Sequence, residues 1–244
     1  KPIKTLPTIF VKDTECAMSD IARAIRDSFV GEVFALTGSQ GKTSTRGFLA
    51  SILAEMVRAS SSESILVTQG NLNNHLGVPL TMARLRPHHR YALFELGASA
   101  IGEIDHLASI VQPQISAVLN ARAAHLEGFG SLDGVIRGKG EIIDHTAIDG
   151  TIILNRDEPA FREWVKRAGS RHIISVGRTN ADLIWSQVSD QRVQIVYADR
   201  EINASLPTLG FHFMENAALA SAMAIAAGAT DQAIIQGLEA ASIE

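Results

Sequence analysis

The sequence has one cysteine, few aromatic residues and no long apolar run. Cys16 alone cannot form an internal disulfide or a cysteine-rich metal site, which fits a reducing compartment. We interpret it as a small, half-buried side chain. With 9 Phe, 2 Trp and 2 Tyr in 244 residues, there is little material for surfaces that stack on nucleic-acid bases. The most apolar stretch, residues 217–229, is shorter than the roughly 20 residues needed to cross a bilayer, so no membrane span is predicted.

Neither sign of charge is in large excess. The chain has 22 Lys and Arg against 26 Asp and Glu, a net charge of −4, which argues against a protein that binds nucleic-acid backbones through general positive charge. An anionic ligand would need a local site. Residues 1–12 are basic but lack a long apolar segment and a small-residue cleavage site, so no signal peptide is predicted. With 46% hydrophobic residues the chain can bury a core.

Short apolar runs alternate with stretches of helical spacing, which predicts βαβ units and a parallel sheet covered by helices. The predicted strands are 33–37, 64–68, 91–95, 115–120, 151–155 and 172–176. The predicted helices are 18–29, 42–58, 78–85, 102–110, 132–145, 159–168, 214–227 and 231–240. In the first of these, Ile21, Ala22, Ala24 and Ile25 are expected to face inward.

Between residues 182 and 206 three short alternating segments are separated by turn residues, which predicts an antiparallel meander at the sheet edge. The expected fold class is therefore α/β, with a mostly parallel sheet of the P-loop NTPase type, flanking helices and a small antiparallel edge meander.

The strongest local motif is the stretch 34–44, an apolar strand that runs into a glycine-containing turn and then a helix. In a phosphate-binding loop, glycines let backbone N–H groups face phosphate oxygens and the helix N-terminus adds its positive dipole end. Lys42 would supply a cation and Thr43 a hydroxyl ligand for magnesium. Because Leu36 occupies the first glycine position of the strict phosphate-loop pattern, the motif is a shortened version.

Two further residues follow predicted strands at the same sheet edge. Glu95 closes the run 91–94, where a magnesium ion that bridges phosphates would need a carboxylate. His125 follows the predicted strand 115–120 on a polar loop. Both side chains could instead be solvated, and their shared position favours a role in the site.

Four sequence blocks together resemble the Mur ligase family of ATP-dependent amide-forming enzymes of peptidoglycan synthesis. They are residues 37–44, residues 68–81, residues 95–98 with 102–104, and residues 124–131 running to 139–142. The first is similar to the whole ligase superfamily, including folylpolyglutamate synthetases. The second and fourth resemble the members that add D-alanyl-D-alanine to UDP-N-acetylmuramoyl-tripeptide through an acyl phosphate.

The resemblance implies ATP and two Mg²⁺ ions as cofactors, and those two small molecules as substrates. Lys42 would hold the β- and γ-phosphates, Thr43 and Glu95 the first metal, and His125 and a carbamylated Lys139 the second. Lys42, His125 and Lys139 are thus the candidate catalytic residues. The implied nucleotide contacts are Thr37, Gly38, Ser39, Gln40, Gly41, Lys42, Thr43, Ser44, Asn155 and Asn216.

The chain departs from the family pattern at two places. Ser99-Ala100 stands where members commonly have Asn-His, and His212-Phe213 stands where a His-Asn pair is usual. The first change affects a polar contact near the metal site. The second leaves Asn216 as the better-supported adenine contact.

The resemblance also implies a domain organisation. Residues 1–30 would be the end of an N-terminal UDP-substrate domain with its linker, and residues 31–244 the central ATP-binding domain, without the C-terminal domain. We expect a cytoplasmic monomer. Another Mur-type ligase, a folylpolyglutamate-like synthetase and a non-catalytic nucleotide-binding module remain as alternatives.

Overall fold

A computed structural model describes residues 8–58, 64–124 and 126–243. In these residues the predicted alternation produces nine strands in one sheet, with helices on both faces. The strands are β1 Glu32–Thr37, β2 Ser64–Val67, β3 His89–Glu95, β4 Ile115–Val118, β5 Thr151–Asn155, β6 His172–Gly177, β7 Leu183–Gln187, β8 Arg192–Tyr197 and β9 Arg200–Ser205. The helices are α1 Thr14–Ser28, α2 Lys42–Val57, α3 Gly77–Met82, α4 Glu103–Val111, α5 Leu126–Phe129, α6 Leu132–Asp144, α7 Phe161–Ala168, α8 Phe211–Ala226 and α9 Asp231–Glu239.

The strand order in the sheet is β2-β3-β1-β4-β5-β6-β7-β8-β9. In this order, all neighbouring strands from β2 to β7, including β1, pair in parallel, whereas β8 pairs antiparallel with both β7 and β9. β1 lies between β3 and β4, so the chain crosses to opposite sides after β1, and ligands of open α/β sheets bind at such a point. The register sets Leu36 beside Glu95 and Thr37 beside Val118. The phosphate-loop motif and Glu95 therefore meet at one edge.

Two apolar cores cover the two faces of the sheet. Phe48 and Ile52 of α2 pack with α8 and α9 on one face. On the other face Phe94 packs with Ile142 of α6 and Trp164 of α7. Because β1 is covered on both sides, its residues 33–37 are fully buried, which explains why residues 33–36 are all apolar.

The first helix differs from its prediction. It begins at Thr14, where the Asp13 carboxylate accepts hydrogen bonds from the backbone N–H groups of Glu15 and Cys16. Cys16 is exposed rather than half-buried, because it lies in this first turn.

The inward face of α1 is also narrower than predicted. Ala22 is buried and Ile25 partly buried, but Ala24 is exposed and Ile21 is 57% exposed. The buried positions include Arg26, whose guanidinium donates to the carbonyl oxygens of Val111 and Gln112. The contact of Arg26 with the carbonyl groups at the end of α4 therefore decides which face of α1 lies inward. The apolar spacing alone predicted a different face.

The edge meander is confirmed, with one refinement: β7 is parallel to β6 and continues the main sheet before β8 and β9 turn antiparallel. Residues 8–11 form no strand. In the described part of the chain, no helix has the length and apolar character needed to cross a membrane.

Candidate active site

The loop between β1 and α2 has the geometry of a phosphate loop. Gly41 has a φ of 78°, a left-handed conformation that favours glycine, and a side chain there would collide with the amide of Asn216. Lys42 begins α2, and its Nζ donates to the Gly38 carbonyl oxygen at 2.8 Å. Burial lowers the pKa of Lys42, and the nearby Glu95 carboxylate opposes that shift. The loop thus presents a helix N-terminus and a lysine at one place.

Sequence reasoning missed Asn120, which holds this loop from β4. Asn120 Oδ1 accepts from the Gln40 backbone N–H at 2.9 Å, and its Nδ2 donates to the Gln40 carbonyl oxygen at 3.0 Å. The Ser39 N–H donates to the Asn120 carbonyl oxygen at 3.2 Å. β4 ends at Val118, two residues earlier than predicted, which frees Asn120 for these contacts. An asparagine directly after a buried run was the available signal.

The other residues of the loop motif have distinct positions. Thr37 is fully buried, and its hydroxyl donates to the Leu96 carbonyl oxygen at 2.8 Å, so its side chain joins β1 to β3. Ser39 and Gln40 are at the surface of the turn, and Ser44 continues α2 beyond Thr43.

Glu95 is buried, with 2% of its surface exposed, at the end of β3. Its Oε1 accepts from Asn73 Nδ2 at 2.9 Å, and its Oε2 lies 3.1 Å from Arg46 Nη1. The Thr43 hydroxyl donates to the same Oε2 at 3.4 Å. The structure therefore brings the predicted metal ligands Thr43 and Glu95 together, and adds Arg46 and Asn73, which were not singled out from the sequence.

Lys139 of α6 is 2% exposed, although an exposed lysine is the common case on a helix. Its Nζ donates to the Ala98 carbonyl oxygen at 3.2 Å and lies 5.2 Å from the centre of the Phe129 ring. Burial, and then the charge of Lys42, lowers the pKa of Lys139 to about 8, against the opposite effect of Glu103 and Glu141. Lys139 is therefore much easier to deprotonate than an ordinary lysine.

The unusual Ser99-Ala100 pair lies beside Lys139. The Glu103 carboxylate accepts from the Ser99 N–H at 2.7 Å and from the Ala100 N–H at 3.4 Å. Glu141 accepts from the backbone N–H groups of Gly102 and Asp105 at the start of α4. Carboxylates on α4 and α6 thus satisfy the backbone of this turn, whose side chains are short.

Lys42 and Lys139 line one cavity of about 600 Å³, together with Asn73, His75 and Glu103. His125 lies outside the described residues. Asn155 and Asn216 are absent from the cavity lining. Asn216 lies behind the loop against Gly41, and Asn155 ends β5, where its Nδ2 is buried without a hydrogen-bond partner. That orphan donor would be satisfied by a ligand acceptor.

The donor set fits one magnesium ion. Mg²⁺ is usually held by one or two carboxylates together with substrate phosphates and water, and Thr43 and Glu95 offer hydroxyl and carboxylate oxygens of this kind. Among the residues that the structure describes, no group of three or more His, Cys, Asp or Glu side chains could hold a metal ion. A second ion would need the Lys139 amine to become an oxygen ligand.

The chain spans about half the length of the curated relatives it matches, and each match covers nearly all of the chain. The chain is 39% identical over 238 residues to the UDP-N-acetylmuramoyl-tripeptide–D-alanyl-D-alanine ligase of Haemophilus influenzae, covering 96% of this chain and 51% of the relative. It is 38% identical over 239 residues to the Escherichia coli protein of the same name, with 96% and 52% covered.

Solved structures of similar proteins also cover the whole of this chain, which again spans about half of their length. MurF from Acinetobacter baumannii superposes with a TM-score of 0.91 at 36% identity, covering 100% of this chain and 54% of that one. The Thermotoga maritima MurF ligase, solved in complex with ADP, has a TM-score of 0.84 at 25% identity, with 100% and 56% covered.

The family described as the Mur ligase middle domain matches residues 36–224, which contain the phosphate loop, Glu95 and Lys139. This match confirms the resemblance seen in the sequence blocks. The chain belongs to the Mur ligase family.

Proposed function

We propose that this chain is the ATP-binding and phosphoryl-transfer part of a cytoplasmic ligase that joins D-alanyl-D-alanine to UDP-N-acetylmuramoyl-tripeptide. The reaction would proceed through an acyl phosphate, with release of ADP and phosphate. The observation that carries the proposal is that Lys42 and Lys139 line one cleft at the carboxyl ends of the central strands, next to the contact between Thr43 and Glu95.

The nucleotide phosphates would bind at the loop of residues 38–41 and the start of α2. Backbone N–H groups and the helix dipole would hold phosphate oxygens, and Lys42 would leave the Gly38 carbonyl to pair with the β- and γ-phosphates. Asn155, with its unpartnered Nδ2, and Asn216 would lie on the nucleoside side.

Thr43 and Glu95 would hold one magnesium ion, which neutralises the charge that develops on the transferred phosphoryl group. Glu95 is already oriented by Asn73 and Arg46, so it needs little rearrangement to act as a ligand.

Lys139 would carry a carbamate, and with His125 it would hold the second ion near the reacting carboxylate. The lowered pKa of Lys139 supports this assignment, because carbamylation consumes the neutral amine. The charged Lys42 across the cleft would favour the anion that results.

The nature of the acceptor rests on the names of the relatives, which add D-alanyl-D-alanine. Structures of Mur ligases with other acceptors are less similar: a diaminopimelate-adding ligase has 16% identity and a TM-score of 0.76. This difference favours D-alanyl-D-alanine over diaminopimelate.

The test is ADP release by the full-length protein that carries this chain, with ATP, Mg²⁺ and UDP-N-acetylmuramoyl-tripeptide. We expect turnover with D-alanyl-D-alanine and none with diaminopimelate or glutamate. Lys42→Ala should abolish turnover, because the phosphates lose their cation, whereas Lys12→Ala at an exposed position should not change it. Nucleotide binding without turnover, or preference for another acceptor, would contradict the proposal.

A further inference from the structure

We propose that Arg46 is a positioning residue that orients the Glu95 carboxylate and the segment that begins at Gly70 for binding of the magnesium–nucleotide complex. This inference rests on the proposed function of the cleft and assigns a role to a residue outside the phosphate-loop motif.

Arg46 lies on α2, four residues after Lys42 and three after Thr43, so all three share one side of the helix. Its side chain is 10% exposed and that of Glu95 is 3% exposed. Arg46 Nη1 lies 3.1 Å from Glu95 Oε2 and donates to the Gly70 carbonyl oxygen at 2.8 Å. One nitrogen therefore joins α2 to β3 and to the loop after β2.

The two oxygens of Glu95 are held by different partners. Asn73 donates to Oε1 at 2.9 Å, and Arg46 pairs with Oε2, the oxygen that also accepts from the Thr43 hydroxyl. Together these contacts set the plane of the carboxylate and direct Oε2 towards Thr43. Without Arg46, the carboxylate could turn about its last bond and lose that alignment.

The Gly70 contact extends the effect to the cleft wall. Gly70 has a φ of 51°, and the chain that follows carries Asn73 and His75 into the lining of the cavity. The Gly97 N–H donates to the Asn73 carbonyl oxygen at 2.8 Å, which joins this segment to the end of β3. Arg46 thus supports both the carboxylate and the residue that holds its other oxygen.

Stability alone is a weak reason for this pair, because a buried ion pair is often replaceable by apolar side chains without loss of stability. A gain in the geometry of a metal site is a better reason. Residues that hydrogen-bond to a metal-ligating carboxylate typically affect metal affinity by about 10- to 100-fold.

The experiment measures ADP binding by calorimetry with Mg²⁺ and with EDTA, for the unsubstituted protein, Arg46→Met, Arg46→Gln and Arg46→Lys. Arg26→Met is the matched control, because Arg26 is an equally buried arginine that bonds carbonyl oxygens at the end of α4, away from the cleft. Circular dichroism checks folding, and Arg46→Gln replaces Arg46→Met if the latter unfolds.

We expect Arg46→Met to weaken Mg²⁺-dependent ADP binding by about 10- to 100-fold, with little change in EDTA. Arg46→Lys should restore part of the affinity, because it keeps a positive charge beside Glu95, and Arg26→Met should change neither measurement.

Three results for Arg46→Met would each overturn the positioning role. They are an equal loss of ADP affinity with and without Mg²⁺, no loss of ADP affinity, and tighter Mg²⁺-dependent ADP binding than in the unsubstituted protein. If the unsubstituted protein itself shows no Mg²⁺-dependent ADP binding, the proposed function fails together with this inference. If the unsubstituted protein shows Mg²⁺-dependent ADP binding and Arg46→Met has the same affinity, only this inference fails.

Discussion

At the residue scale, the site is built from charged side chains that are removed from water. Glu95 and Lys139 are each 2% exposed, and Arg46 is 8% exposed. Such burial is costly unless each charge is paired or neutralised. Glu95 is paired with Arg46, whereas the Lys139 amine donates to a carbonyl oxygen and lies near an aromatic ring, and the charges of Glu103 and Glu141 do not offset its burial. The unequal pairing indicates that Lys139 is suited to lose its proton.

Carbamylation of Lys139 is testable by ¹³C NMR of protein equilibrated with ¹³C-bicarbonate. With a pKa of about 8, about a tenth of the Lys139 amine is neutral at pH 7, against about 0.03% for a lysine of pKa 10.5. We expect a carbamate signal that grows as the pH rises from 7 towards 9, because the reactive neutral amine increases through its pKa.

The signal should be absent in Lys139→Met and unchanged in Lys12→Met, where the substituted lysine is exposed. A carbamate signal that survives in Lys139→Met would assign the modification to another amine.

At the element scale, the phosphate loop depends on three pieces of chain that are far apart in the sequence. β1 leads into the loop, α2 leaves it, and the residues after β4 hold its turn through Asn120. α8 closes the back of the loop with Asn216 at Gly41. Helices α2 and α9 are also in close contact, because Gly237 of α9 lies directly against the backbone of Ile52 in α2.

Replacing Asn120 tests how the loop is held. Asn120→Ala removes both hydrogen bonds to the Gln40 backbone, so we expect a loss of about 1–3 kcal/mol in the free energy of unfolding and weaker ADP binding. Asn120→Asp should bind ADP more weakly still, because it adds a negative charge beside the phosphates.

The measurements are calorimetric titration with ADP and urea unfolding, and Asn203→Ala on the exposed face of β9 is the control. If Asn120→Ala binds ADP as tightly as the unsubstituted protein, Asn120 does not hold the loop for the nucleotide.

Two helical glycines test the contact of α2 with its neighbours. A methyl group at Gly237 would collide with the Ile52 backbone, so Gly237→Ala should lower the free energy of unfolding by about 1–3 kcal/mol. At Gly47 the added carbon would meet the flexible end of Ile243, at 3.1 Å.

Gly47→Ala also gains about 1 kcal/mol of helix propensity, so it should be neutral or stabilising. Urea unfolding of both variants decides the matter, and equal stability of the two would contradict the close helix contact.

At the scale of the whole molecule, one sheet supports two layers of helices and places the site where the strand order changes direction. The cleft opens at the carboxyl ends of β1 and β3, between α2 and the start of α4. The chain spans about half the length of the relatives it matches.

We therefore expect residues 1–244 on their own to bind Mg²⁺–ADP without supporting ligation. A nucleotide titration and an ADP-release assay with both substrates measure the two properties, and the full-length protein is the positive control. Ligase turnover by residues 1–244 at the rate of the full-length protein would contradict this expectation.

Much of this organisation follows from the sequence alone. The α/β class, the helix and strand order, the phosphate-loop motif and the place of Glu95 depend on periodicity and turn residues, which act over a few neighbouring positions. The prediction that Ile21 and Ala24 face inward on α1 was wrong, because the buried contact of Arg26 with α4 joins residues that are far apart in the sequence.

Only the tertiary structure decided which distant side chains meet. Arg46 with Glu95, Asn120 with Gln40 and Asn216 with Gly41 are pairs that strand order and helix packing bring together, and no local pattern contains them. The low pKa of Lys139 has the same origin, because it depends on burial beside Ala98 and Phe129 and on the charge of Lys42. The sequence determined the elements and the loop, and packing determined the chemical environment of each charge.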